Sequence, residues 1–156
     1  GLWTSRPAAP RIEGVNHVAF GVHDMKVTTD FYKQLGFTDQ IFESKEFFEP
    51  MAPWYQVGRP LPGHHMTLWL SGEGAGIEPV RLAPLWEDCR GEWGHVGPMD
   101  FGIGVQNIKK AVATLKELGI ETHSEIQVLD VGNTEFKYVY FKDPDDQYVS
   151  LVESNY

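Results

Sequence analysis

A single cysteine, Cys89, is all the thiol this chain possesses. It cannot close an internal disulfide and has no cysteine neighbour with which to build a metal cluster, which fits a reducing compartment and a cytoplasmic location. Long apolar runs are also missing: no segment approaches the roughly 20-residue stretch of a membrane helix, so the chain is expected to be soluble, with no membrane partner. The opening stretch, Gly1 to Arg11, holds prolines, small residues and one Trp but no apolar leader core, and gives no sign of export. Basic residues are scarce, 13 Lys and Arg against 22 Asp and Glu, for a net charge of -9. They are also scattered, which argues against nucleic acid, whose binding needs many contacts to phosphates. The acidity serves solubility and would also suit a cationic ligand. No Gly-x-Ser-x-Gly occurs, so the nucleophile elbow of many hydrolases is missing. Gly72-Glu73-Gly74-Ala75-Gly76 lacks the following helix that a phosphate-cradling loop requires.

What the chain does have is an internal repeat, within a length of 156 residues that suits one domain. Val15 to Val22 alternates, with Val18, Phe20 and Val22 on the face to be buried and His17, Ala19 and Gly21 on the other. Asp24 then caps a helix whose apolar stripe is Met25, Phe31, Tyr32 and Leu35, ended by Gly36. Met99 to Val105 repeats the pattern with Phe101, Ile103 and Val105. Asn107 caps the second helix, Ile108, Val112, Leu115 and Leu118 form its stripe, and Gly119 stops it. The two strands are expected at equivalent central positions, with His17 opposite Asp100, Ala19 opposite Gly102 and Gly21 opposite Gly104.

Strand patterns follow each helix: Phe37 to Ser44, His65 to Leu70 and Ile77 to Leu82 in the first half, and Ile120 to Leu129, Phe136 to Phe141 and Gln147 to Glu153 in the second. The turns are Ser71 to Gly76 and Asp143-Pro144-Asp145-Asp146. Phe47 to Gly63 reads as a long loop over one end of the sheet, either a pocket wall or a packed loop. The expected organisation is an N-terminal arm over residues 1–12 and a single domain over 13–156. That domain divides into module one at 13–83, a connector at 84–96 and module two at 97–156.

The strand holding His17, the Asp-capped helix ending Phe31-Tyr32-Lys33-Gln34-Leu35-Gly36-Phe37, and the closing run Tyr140-Phe141-Lys142-Asp143-Pro144-Asp145-Asp146 resemble the vicinal-oxygen-chelate superfamily of glyoxalases, bleomycin resistance proteins and dioxygenases. The resemblance covers nearly the whole chain after Arg11. It implies an α+β fold of two tandem βαβββ modules whose strands form a cupped mixed sheet around a cavity. It further implies four metal-ligand places, on the first and last strand of each module. His17 matches the first. Asp100 stands where the family more often has His, and a carboxylate can still ligate zinc, manganese, iron or nickel. Ser150 falls where the family has glutamate, and Glu153 should point to the opposite face by strand alternation. The fourth place lies within Ile77 to Leu82, where Glu78 is the available carboxylate.

Three functions follow. In one, His17, Asp100 and Glu78 hold a divalent metal for lyase, isomerase or dioxygenase chemistry on a small oxygenated metabolite. In another, His17 and Asp100 pair to move a proton, and Ser150 or a tyrosine supplies a hydrogen bond to a developing enolate. In the third, the chain only sequesters an aromatic or cationic small molecule. His65, Trp69, Tyr138 and Tyr140 are candidate pocket residues, although Trp69 and the two tyrosines are more often packing residues, and at most one of His64 and His65 can face a pocket. Arg81 either holds an anionic group or lies on the surface. A homodimer is expected, because the resemblance implies subunit contacts and the connector offers Trp86 and Trp93.

Overall fold

A computed structural model of the chain describes residues 12–46, 64–81 and 98–155. The long loop Phe47 to Gly63 and the connector with Trp86, Cys89 and Trp93 lie outside the described residues. The chain divides into two compact units, Gly1–Leu85 and Trp86–Tyr156.

The first unit runs β1 (His17–Gly21), α1 (Met25–Gln34), β2 (Asp39–Ser44), β3 (His65–Leu70) and β4 (Gly76–Arg81). The second repeats this as β5 (Asp100–Gly104), α2 (Ile108–Glu117), β6 (Gln127–Val131), β7 (Thr134–Lys142) and β8 (Tyr148–Ser154). Each forms a four-stranded sheet, ordered β1-β4-β3-β2 and β5-β8-β7-β6. The shared order is the duplication read from the sequence, now as topology: an α+β fold of two βαβββ modules.

Local chemistry explains the elements. Asp24 accepts from the Val27 amide and Asn107 from the Lys110 amide, so both helices begin where a side chain replaces missing backbone acceptors. Gly36 and Gly119 follow the helices with φ of 102° and 76°, backbone that glycine adopts without a Cβ penalty. Asp143 makes the β7–β8 turn, its buried Oδ1 accepting from the amides of Asp145 at 2.8 Å and Gln147 at 3.0 Å.

In each module the first and last strands pair in parallel, which a helical crossover makes possible. The helix covers one sheet face, and the core forms there. Val18 and Phe20 of β1 share that face with Ile77 and Pro79 of β4. Tyr32 of α1 packs its ring 5.5 Å from Phe20 and 6.1 Å from Phe37. In module two Val139, Phe141, Val149 and Leu151 are buried with Ile108 and Leu115 of α2. Glu153 lies on this face too, as alternation requires, and its Oε1 accepts from the Ile108 amide at 3.2 Å, capping α2 from outside the helix.

Two expectations are corrected. β1 and β5 occupy equivalent positions but stand at the end of their sheets' strand order, since each pairs with only one strand of its own sheet. The strand expected over Ile120 to Leu129 is displaced to Gln127–Val131, and residues 120–126 contribute one isolated bridge, Thr122 to Phe141. Thr122-His123-Ser124-Glu125 offers no apolar alternation to hold a half-buried strand. No described helix is long and apolar enough to cross a membrane.

Truncating Phe141, which is fully buried, to Ala should cost about 3–5 kcal/mol in denaturant unfolding. Asp24→Ala should cost about 1 kcal/mol through loss of the helix cap. Val128→Ala, at a side chain 60% exposed, should change stability by about 0.5 kcal/mol or less.

Candidate functional site

The face of each sheet opposite its helix carries most of the candidate residues, and strand register states which ones. Residues paired across a ladder share a face. In module one His17 pairs with Gly76, Ala19 with Glu78 and Gly21 with Val80. In module two Asp100 pairs with Tyr148, Gly102 with Ser150 and Gly104 with Val152. His17 and Glu78 therefore share one open face, Asp100 and Ser150 share the other, and Glu78 occupies in its module the place that Ser150 occupies in its own.

His17 is exposed, and its Nδ1 lies 2.8 Å from Asn16 Oδ1. With that oxygen accepting, Nδ1 is the donor, so in a neutral ring the lone pair is on Nε2. Asp100 is half-buried, and its Oδ2 accepts from the Ser150 hydroxyl at 3.2 Å. Within its own module His17 thus has Asn16 as a partner, and Asp100 has Ser150. Ser150 is buried. A Cβ added at Gly102 would stand 3.2 Å from Ser150 Oγ and 3.3 Å from Val152 Cγ2, so glycine keeps this hydrogen bond uncrowded.

Tyr138 and Tyr140 lie on the Asp100 face, paired with Val152 and Ser150. Tyr148 joins them. The ring centroids of Tyr138 and Tyr140 are 5.9 Å apart and those of Tyr140 and Tyr148 6.2 Å, with planes at 76° and 86°. Burial first, then the charge of Asp100, raises the Tyr140 phenol above its ordinary value, so it remains a hydrogen-bond donor throughout the neutral range. Lys142 holds its ammonium 4.8 Å from the Tyr148 ring centre. The sequence reading passed over Tyr148 and Lys142, although Tyr148 stands two residues before Ser150 on one strand and so shares its face.

The other candidates lie on the helix side of module one. Trp69 pairs with Ile77, and His65 with Arg81, which places all three candidates on the face of Val18 rather than that of His17. Trp69 is buried with Lys33 of α1 positioned 4.6 Å from its ring centre. His65 Nε2 lies 2.7 Å from Glu43 Oε1, the main reason the Glu43 carboxyl falls below its usual range. Arg81 donates its Nε–H to the His23 carbonyl at 3.0 Å. His64 is buried just before β3. The structure therefore groups His17 with Glu78, and Asp100 with Ser150, Tyr138 and Tyr140. His65, Trp69 and Arg81 fall in neither group.

The four implied ligand places hold one imidazole, two carboxylates and a hydroxyl that spends its proton on one of those carboxylates. Among the described residues, no three His, Cys, Asp or Glu side chains gather into a group able to hold a metal ion. Of this set the imidazole and the carboxylates are metal-ligating groups, and a neutral hydroxyl is a poor one.

A sequence profile described as the Glyoxalase/Bleomycin resistance protein/Dioxygenase superfamily matches residues 14–151. No curated protein matches the chain. Among solved structures, a glyoxalase family protein from Bacillus cereus superposes with a TM-score of 0.72 at 17% identity, covering 94% of this chain and 97% of that one. One from Enterococcus faecalis gives 0.67 at 21% identity, covering 90% and 98%. The fosfomycin resistance protein FosX from Listeria monocytogenes, solved with Mn(II) and sulfate, gives 0.55 at 19% identity, covering 91% and 93%. At these identities the likeness is one of fold.

Replacing Asp100 by Asn removes the second cause of the Tyr140 shift and leaves burial, the first. Alkaline titration of phenolate absorbance, with Tyr140→Phe as the subtraction control, should show the Tyr140 transition moving down toward the ordinary tyrosine value of about 10 without reaching it.

Proposed function

Because the chain belongs to the glyoxalase/bleomycin resistance protein/dioxygenase superfamily, we propose that it is an enzyme acting on a small oxygenated metabolite by proton transfer, in lyase or isomerase chemistry, with its metal site altered. Residues 13–156 serve as one such domain. The observation that carries this reading is the matched register of His17 with Glu78 and of Asp100 with Ser150. It retains acid/base side chains at three of the four places and substitutes a neutral hydroxyl at the fourth. His17 is the base, through the Nε2 lone pair that its bond to Asn16 leaves available. On the module-two face the Ser150 hydroxyl donates to Asp100, and Tyr140 stays protonated as a second hydroxyl donor.

A second reading, sequestration without turnover, draws on the row of Tyr138, Tyr140 and Tyr148, which offers a planar molecule aromatic surface. We also take the chain to be a cytoplasmic homodimer. Exposed apolar side chains on the edge strands β2 and β6, among them Ile41, Val128 and Val131, favour association. Sedimentation at tens of micromolar protein should show a dimer, and monomer alone would reject it.

The functional test is deuterium exchange. A panel of small 2-hydroxy carbonyl compounds is incubated with the protein in heavy water, and exchange next to the carbonyl is followed by NMR. Enzyme-dependent exchange should persist in EDTA and fall about 100-fold or more in His17→Ala. Exchange that stops with chelator and returns with Mn(II) would establish metal chemistry instead. Binding without exchange would establish sequestration.

A further inference from the structure

We propose that the outer edge of β6 pairs antiparallel with β6 of a second copy, in a single register centred on Leu129, so that the module-two sheets of two chains run on into one. The inference rests on the dimer reading above and deepens it by naming the edge and the register.

An edge strand offers a row of backbone N–H and C=O groups to any extended chain, and folds commonly blunt such edges with bulges, proline or lysine. β2 is blunted in this way. Its register against β3 shifts between Gln40 and Phe42, and an irregularity of that kind twists an edge away from further pairing. β6 has no such device. Its pairing with β7 is unbroken from Gln127 opposite Tyr138 to Val131 opposite Thr134, and its sequence holds neither proline nor lysine. Every residue of β6 is exposed, and Val128, Leu129 and Val131 among them are apolar.

Charge selects the partner and the register. The one charged residue of β6 is Asp130, and it stands opposite Glu135, a like charge. Lys137 is the neighbouring cation, and its ammonium lies 3.7 Å from Glu135 and 3.5 Å from Glu153. Among the described residues no cation forms an ion pair with Asp130. A second copy supplies one. With Leu129 on the twofold axis, Val128 stands opposite the partner's Asp130, and Lys137 flanks Val128 from the other side. The partner's Asp130 then lies two strand spacings from Lys137, roughly 10 Å between backbones, with only a valine between them. A lysine and an aspartate leaning toward each other span that gap.

The open face matches as well. Leu129 pairs with Phe136, so the central row reads Phe136, Leu129, the partner's Leu129 and the partner's Phe136, all apolar. Other registers are worse. Centring on Asp130 sets two carboxylates directly opposite each other. A shift of one residue pairs opposite faces, so that the apolar row of one copy meets the charged row of the other.

The experiment uses the full chain with Cys89→Ser as background. Leu129→Cys should close a covalent dimer under mild oxidation, because directly paired residues stand about 4.5–5.5 Å apart at Cα, within the span of a disulfide. Val131→Cys, about 14 Å from its own copy in this register, should not. In sedimentation, Leu129→Lys should weaken the dimer about 100-fold or more by opposing two ammonium groups across the axis. Asp130→Lys should weaken it about fivefold. All four positions changed are outside the core, and an unaltered circular dichroism spectrum and melting curve separate loss of pairing from loss of folding. Cross-linking at 131 as readily as at 129, no cross-link at 129, or a dimer that Leu129→Lys leaves intact would overturn the inference. A dimer that survives Leu129→Lys leaves the dimer reading standing and removes this edge alone. A wild-type chain that is monomeric removes both.

Discussion

Parallel pairing between the first and last strand of each module is the constraint from which the remaining features follow. Two parallel neighbours cannot be joined by a tight turn, so the chain must leave the sheet, cross one face as a helix, and return. That crossing assigns α1 and α2 to one side and gathers the apolar residues of both sheets beneath them. The opposite face is left to residues whose identity is free of packing demands. Because side chains alternate with period two, the pairing of His17 with Gly76 and of Asp100 with Tyr148 decides every later resident of that face. Small residues at Ala19, Gly21, Gly102 and Gly104 keep it accessible.

Within that frame, Ser150 stands where the family resemblance implies a glutamate. A carboxylate in its place would repel Asp100 across the short distance that the hydroxyl now bridges, and a cation between them would be the natural remedy. With serine the repulsion is gone and a hydrogen bond stands in its stead. The two modules thus share a scaffold while their open faces differ: a basic nitrogen beside a carboxylate on one, a hydroxyl-bridged carboxylate among phenols on the other.

Features governed by local chemistry were legible from the residues alone. Asp24 and Asn107 cap their helices where the sequence reading placed them, and His65 to Leu70 is a strand over the expected residues. His17 was assigned to the correct face because Val18 and Phe20 fix the parity of β1. The parity of β3 was not legible, since Met66, Leu68 and Leu70 are apolar on one face while Trp69 is apolar on the other. Only pairing with β4 shows that Trp69 lies on the helix side. Glu78 could be named as a candidate but not matched to Ser150, since pairing across a ladder joins residues far apart in sequence. Tyr148 escaped notice although the alternation along β8 would have revealed it.

β8 bears different duties on its two sides. Tyr148 and Ser150 look toward the open face, while Glu153 reaches beneath the helix to the Ile108 amide and pairs with Lys137 at 3.5 Å. A register slip of one residue would exchange these assignments, placing Glu153 among the phenols and Ser150 under α2. The turn from Asp143 to Gln147 guards against the slip, because the Asp143 carboxylate measures its span by gripping two amides. The number of residues in that turn consequently matters more to the fold than the identity of its exposed positions: an insertion or deletion there would rewrite the whole last strand.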